Sequence, residues 1–187
     1  MSAAAHPVPH ILAFLRGTWR LTRRIVDHRA ARTLTAEGTA RWTDAPGGAC
    51  AAEAADALAG AGAGSAGETA LSYCEECVVH GLGAAAVPAR ASYVYTALRG
   101  APSAAAVSFP DGRAFHALDL ATGDSGALAH ACAPDAYAGR VVATGAHTLT
   151  VEWRVTGPAK DYVALTHLTR ECGGAPAAED AGVRRGV

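Results

Sequence analysis

The chain has 187 residues and a formal net charge of −1, with 16 Lys and Arg interspersed among 17 Asp and Glu. This length suits one domain, which would bury about 70% of the surface that its unfolded chain exposes. The mixed charge excludes the basic footprint of a nucleic-acid-binding protein. The sequence also lacks an apolar run of about 18 residues, which excludes a membrane-spanning helix.

The segment before Asp27 contains no acidic residue and carries Arg16, Arg20, Arg23 and Arg24. This composition is compatible with a mitochondrial transit peptide. We predict a cytoplasmic protein instead, because these arginines fall within or beside a predicted strand and no secretory cleavage pattern is present.

The first predicted elements are a tail over residues 1–8, a short helix in HILAFLRG that ends at Gly17, and a strand. From Thr18 the apolar period changes to two, so Trp19 lies on one face of this strand and Arg20 on the other. DHRAART then turns the chain and LTAEGTARWT returns it as a first hairpin. Residues 45–67 are rich in Ala and Gly without a period, which predicts a flexible insertion.

Strand patterns resume in ETALSYCEECVVHG and continue through KDYVALTHLTREC, with PDG as a tight turn between two of them. The runs predict about eight to ten strands spaced as in an all-β meander. We therefore predict one antiparallel barrel domain over residues 9–172. Residues 173–187 are predicted to be a disordered tail.

Five cysteines are present, and an odd number without a secretory signal argues against a disulfide framework. The CEEC motif places Cys74 and Cys77 three residues apart, so within a strand they point to opposite faces. The chain has no second CxxC to complete a set of four zinc ligands. A structural role is therefore predicted for both, although a redox role stays open.

The order of motifs along the chain resembles a known family. Gly17-Thr18-Trp19 at the start and Arg170 in LTHLTR at the end resemble the calycin superfamily of lipocalin-like barrels. The series GTWRLTRRIVD, EGTARW, LSYCEE, DGRAFHALDL, AHACAPDAYAGR, VEWRVTGPAKDY and THLTR is similar to the domain of unknown function 6314. A more distant resemblance is to the haem-binding nitrobindins and the bilin lyases.

The resemblance implies a barrel whose base closes where the arginine packs across the tryptophan, and it implies no established activity. The predicted structural residues are Gly17, Trp19, Trp153 and Arg170. If Trp19 and Arg170 point inward, strand parity also turns Arg23 and Tyr162 inward, with Lys160 near the rim. A buried arginine requires a partner or an anionic ligand, although a one-residue slip would instead expose it.

Histidines concentrate in FHALDLATGDSGALAHACAPDAY. His116, His130 and Cys132 would converge if their strands pair, and zinc accepts these ligand types. The spacing lacks a short HxH chelate, so we predict no metal site and interpret the histidines as pocket or core residues. No cofactor is required by the sequence.

Tyrosines alternate along SYVYT, where Tyr93 and Tyr95 share one face, and Tyr73, Tyr137 and Tyr162 are expected to join them. The predicted function is the binding of a small anionic or amphipathic molecule in the barrel. The predicted ligand-binding residues are Arg23, Tyr93, Tyr95, His116, His130, Tyr137, Lys160 and Tyr162.

Two other classes of function stay open. One is a hydrolase, isomerase or lyase in which His116 or His130 is the general acid or base, with or without a metal. The other is a protein interaction module with a filled barrel, possible as a homodimer through an exposed sheet edge.

Overall fold

Ten antiparallel strands and one short helix account for the regular structure of residues 4–45 and 70–171, which the computed structural model describes. The elements are α1 (Ile11–Leu15), β1 (Gly17–Asp27), β2 (Arg32–Asp44), β3 (Ala70–His80), β4 (Val87–Leu98), β5 (Ala101–Ser108), β6 (Ala114–Asp119), β7 (Leu128–Cys132), β8 (Asp135–Gly145), β9 (Thr148–Thr156) and β10 (Asp161–Arg170). The predicted all-β barrel with a short amino-terminal helix is confirmed.

Two predicted segments fall outside this range. Residues 46–67 of the predicted insertion and the whole predicted tail at 173–187 lie outside the described residues. Within the described part of the chain, no helix is long and apolar enough to cross a bilayer.

The sheet runs in the order β6-β5-β4-β3-β2-β1-β10-β9-β8-β7. Neighbours in sequence therefore pair as hairpins, and β1 pairs with β10 to join the two ends of the meander. Alternation explains the burial: Trp19 and Leu21 of β1 are buried in the barrel, whereas Arg20 and Thr22 are exposed.

The turns follow their sequence signals. Gly112 of the PDG turn takes a positive φ of 88°, which only glycine adopts without strain. Gly157 and Lys160 exchange backbone hydrogen bonds of 2.8 and 3.3 Å across the turn between β9 and β10. Both turns lie at the end of the barrel opposite α1.

Strands β6 and β7 are the two edges of the sheet, and they meet at a seam without a backbone ladder. His130 bridges this seam, because its Nδ1 lies 3.0 Å from the carbonyl oxygen of Phe115. The barrel is thus nearly closed, and side-chain contacts rather than a backbone ladder join β6 to β7.

The amino-terminal segment closes the end of the barrel beside α1. The prediction of a tail over residues 1–8 is wrong for His6 to Val8: Val8 is buried, and its backbone N–H donates to the carbonyl of Leu120 at 2.9 Å. The N–H of His6 donates to the carbonyl of Ala143 at 2.8 Å. The segment thus links the end of β6 to β8 across the seam.

Trp19 and Arg170 close the base of the barrel. The Trp19 Nε1 donates to the carbonyl of Leu15 at 2.7 Å, and the Arg170 guanidinium carbon lies 4.4 Å from the indole centroid. The same guanidinium donates to the carbonyls of Phe14 and Arg16 at the end of α1. One cation therefore joins the last strand, the first strand and the helix.

We expect Arg170→Met to lower the free energy of unfolding by about 2–4 kcal/mol, because it removes a cation–π contact and charged hydrogen bonds to two carbonyls. Urea denaturation measures this change. The control is Arg20→Met on the outer face of β1, expected to change stability by less than about 0.5 kcal/mol. Equal effects of the two substitutions would contradict the assigned role of Arg170.

Candidate ligand cavity

A cavity of about 230 Å³ lies inside the barrel. Its wall contains six of the eight predicted ligand-binding residues: Arg23, Tyr93, Tyr95, His116, Tyr137 and Tyr162. Trp153, predicted as structural, also lines it, as does Tyr73, which is expected to join the other tyrosines. Glu75 and Phe115 line it as well, and neither is predicted from the sequence. Lys160 and His130 lie beside the cavity rather than in its wall.

Arg23 points into the barrel, as parity predicts, and it is paired. Its Nη1 and Nη2 donate to the two carboxylate oxygens of Glu75 at 2.7 and 2.8 Å, and its Nε donates to the Thr166 hydroxyl at 2.7 Å. Tyr73 donates its hydroxyl to the second oxygen of Glu75 at 2.7 Å. The partly buried arginine therefore has an internal counter-ion and does not require an anionic ligand.

These contacts shift the pKa values of Arg23 and Tyr73. Burial by itself lowers the pKa of Arg23, but the hydrogen bonds and negative charge of Glu75 outweigh it, and the pKa is raised. Burial, reinforced by the Glu75 charge, raises the pKa of Tyr73 well above its usual value. At neutral pH Arg23 is therefore a guanidinium cation and Tyr73 a neutral phenol.

Glu75 is the main functional candidate that sequence reasoning missed. It lies in the centre of the CEEC motif, in which the two cysteines are the residues that resemble zinc ligands. Cys74 and Cys77 do lie on opposite faces of β3, as predicted, and both are free thiols. Parity with the buried Tyr73 and Cys77 was the available signal that Glu75 also points inward.

Four aromatic rings form a stacked row along the cavity wall. Tyr73 stacks on Tyr93 with centroids 5.8 Å apart, and Tyr93 stacks on Phe115 at 5.3 Å with an interplanar angle of 9°. Phe115 in turn stacks on Trp153 at 5.3 Å. The row therefore begins at the polar pair and crosses the seam to β9.

A β-bulge gives Phe115 its place in this row. Val107 pairs with His116 but Ser108 pairs with Ala114, so Phe115 is an extra residue on β6. Phe115 and its neighbour His116 both line the cavity as a result. On the other side, Gly139 leaves room for the indole, since a Cβ there would lie 2.6 Å from Trp153.

His116 and His130 each place Nδ1 near a backbone carbonyl oxygen. His116 Nδ1 lies 3.1 Å from the Ala117 carbonyl, and His130 Nδ1 bonds the Phe115 carbonyl. A nitrogen that faces a carbonyl carries the proton, which leaves Nε2 as the acceptor when the ring is neutral. Burial lowers the pKa of His116, so this ring is neutral at pH 7.

Lys160 lies at the rim, where it already has partners. Its Nζ is 2.7 Å from the Asp135 carboxylate and 3.0 Å from the Tyr137 hydroxyl. These hydrogen bonds to Asp135 and Tyr137 raise the pKa of Lys160. Like Arg23, this cation is compensated by the protein itself.

The convergence of His116, His130 and Cys132 is not seen. Cys132 is exposed at the end of β7, whereas His116 is buried in the cavity wall. Among residues 4–45 and 70–171, no group of three His, Cys, Asp or Glu side chains is arranged to hold a metal ion.

Separating Arg23 from Glu75 should be costly. We expect Glu75→Leu to destabilise the fold by about 3 kcal/mol, because it strands a largely buried guanidinium, whereas the double variant Arg23→Met with Glu75→Leu stays within about 1 kcal/mol of the wild type. A double-mutant cycle in urea measures the coupling. Additive effects of the two single substitutions would show that the pair does not act as a unit.

His116 should make stability depend on pH. Because its pKa is lower in the folded state, the unfolded chain binds the proton more readily, so stability is complete above about pH 6.5 and falls as the pH drops below it. We expect the wild type to lose more stability than His116→Asn between about pH 7.5 and about pH 5.5. Parallel urea titrations check this, and identical losses would contradict the buried neutral state.

Three solved structures illustrate what the chain is similar to, and the first of them supports the fold. An S-type phycobiliprotein lyase from Guillardia theta superposes with a TM-score of 0.61 at 11% identity, over 87% of this chain and 92% of the lyase. A protein of unknown function from the DUF3598 family of Nostoc punctiforme gives a TM-score of 0.49 at 15% identity, over 88% of this chain and 49% of that one. A redesigned β barrel gives 0.41 at 10% identity, over 89% and 99% of the two chains.

No curated protein matches the chain. The match that assigns a family is to a family model over residues 15–170, which spans β1 to β10 and every residue described above for the cavity. The chain therefore belongs to the family of unknown function DUF6314.

Proposed function

We propose that the barrel binds one small, planar, amphipathic molecule of one or two rings in its central cavity. The observation that carries this proposal is a cavity of about 230 Å³ with a stacked aromatic wall and a charge-compensated polar pair inside it. Apolar walls with a few placed polar groups are typical of small-molecule sites.

The volume supports a ligand of this size. A cavity of about 150 Å³ holds a benzene ring, so the present one corresponds to one ring with substituents or to two fused rings. A haem or a bilin has four pyrrole rings and exceeds this space. The likeness to the phycobiliprotein lyase, at 11% identity, therefore supports a shared barrel without supporting a shared ligand.

The charges favour an amphipathic ligand over an anionic one. Arg23 is bonded to Glu75 and Lys160 to Asp135, so each cation near the cavity has a carboxylate within 2.7 Å. An anion entering the cavity would gain attraction from Arg23 but meet repulsion from Glu75. A neutral molecule avoids this cost and still gains the aromatic contacts.

A proton-transfer enzyme is the second candidate, and one observation favours it. His116 lines the cavity as a neutral imidazole whose Nδ1 is held by a backbone carbonyl, which leaves Nε2 as a base. Such a base would act on a proton of the bound molecule. An interaction module with a filled barrel receives less support, since residues 4–45 and 70–171 leave a cavity of about 230 Å³ inside the barrel.

Blocking the cavity tests the binding proposal. We expect wild-type protein to bind 2-naphthol with quenching of tryptophan fluorescence, since Trp42 and Trp153 line the cavity. Ala164→Phe and Val151→Phe, which extend into the cavity from β10 and β9, should each weaken binding by more than about tenfold.

His167→Phe is the control, because it adds the same ring on the exposed face of β10. It should leave binding unchanged. Equal affinity in the control and both cavity variants would place the ligand outside the barrel, and no binding by the wild type would contradict the proposal directly.

A further inference from the structure

The Arg23–Glu75 pair has hydrogen-bonding capacity left over. A guanidinium has five N–H groups, of which Arg23 uses one toward Thr166 and two toward Glu75. A carboxylate has about four acceptor positions. Glu75 receives two bonds on Oε2, from Arg23 and Tyr73, and one on Oε1. Among residues 4–45 and 70–171, N–H groups of Arg23 and an acceptor position of Glu75 thus have no partner, and both side chains line the cavity.

From this arrangement we infer that the pair recognises an edge with a hydrogen-bond acceptor next to a donor, as in the C=O and N–H of a lactam ring. The ligand carbonyl accepts from Arg23, and the ligand N–H donates to Glu75 Oε1. This inference rests on the proposed function and narrows its ligand class to neutral, planar heterocycles with a cyclic amide.

Tyr73 connects the polar pair to the surface that receives the ring. Its hydroxyl donates to Glu75, while its aromatic face begins the stacked row that continues through Tyr93 and Phe115. A heterocycle whose edge meets the pair therefore lies beside aromatic rings on the same wall. The Arg23–Glu75 pair thus binds the edge of the heterocycle, and the adjoining aromatic rings contact its face.

Other ligand classes fit the pair less well. A carboxylate satisfies Arg23 but opposes Glu75, and an ammonium does the reverse. A hydrocarbon ring satisfies neither, and it displaces water from the unused donors and acceptor without replacing the hydrogen bonds. A site built to form hydrogen bonds discriminates strongly against analogues that lack them.

The test compares four bicyclic probes of similar size on the full-length protein: 2-quinolinone, quinoline, naphthalene and 2-naphthoate. We expect 2-quinolinone to bind about 10- to 100-fold more tightly than naphthalene, from its two added hydrogen bonds, with quinoline and 2-naphthoate weaker than 2-quinolinone. Fluorescence quenching gives the four dissociation constants.

Two carboxylates of the CEEC motif provide matched variants. Glu75→Gln keeps the shape but removes the counter-charge of Arg23, so 2-naphthoate should bind at least about tenfold more tightly and 2-quinolinone about tenfold more weakly. Glu76→Gln changes the adjacent residue on the exposed face of β3 and should leave all four constants unchanged.

The outcomes separate this inference from the proposed function. If naphthalene and 2-quinolinone bind equally well to the wild type, the lactam inference is overturned and small-molecule binding stands. If none of the four probes binds, both are overturned. Should Glu75→Gln fail to fold, the comparison of probes on the wild type still decides the matter.

Discussion

The contact between the Trp19 indole and the Arg170 guanidinium determines which side chains lie inside the barrel. Trp19 and Arg170 are paired across β1 and β10, and the guanidinium also holds the end of α1 through two carbonyls. Because side chains alternate along a strand, this contact fixes the facing of both strands in full. Arg23 and Thr166, four residues along each strand, meet inside for the same reason.

A charged side chain inside a small barrel needs a counter-ion. Whether the protein or a ligand supplies that counter-ion determines the net charge of the cavity. Had Arg23 been unpaired, the interior would attract anions strongly. Glu75 reaches it from β3 and makes the interior neutral while leaving it polar at one point. The aromatic row beside it then supplies contact area that does not depend on charge.

Many of the residues that line the cavity can be predicted from the sequence. Because side chains alternate along a strand, the orientation of one residue gives the orientation of the others on that strand. Alternation predicts that Arg23 and Tyr162 face inward and that Tyr93 and Tyr95 share one face, and all four line the cavity. It does not predict the position of Phe115, because a β-bulge shifts the register of β6 and no pattern of apolar residues indicates the bulge.

Other features depend on pairing between distant strands. The bond from Arg23 to Glu75 joins residues on β1 and β3, and the sequence predicts that a partner is needed without saying which residue supplies it. The role of His6 to Val8 likewise depends on the seam between β6 and β7, which exists only in the folded barrel and which this segment crosses to reach β8. Local sequence patterns therefore predict the face of a strand on which a residue lies, but they do not predict which residue of a distant strand it contacts.

The position of the seam also bears on how the molecule opens. The two terminal strands, β1 and β10, share a continuous ladder, while the gap lies in the middle of the chain between β6 and β7. Backbone amides on the free edges of those two strands lack the cross-strand bonds that slow hydrogen exchange elsewhere. We therefore expect local opening of the barrel to begin at this seam, and a chain cut between β6 and β7 would keep every ladder of the sheet.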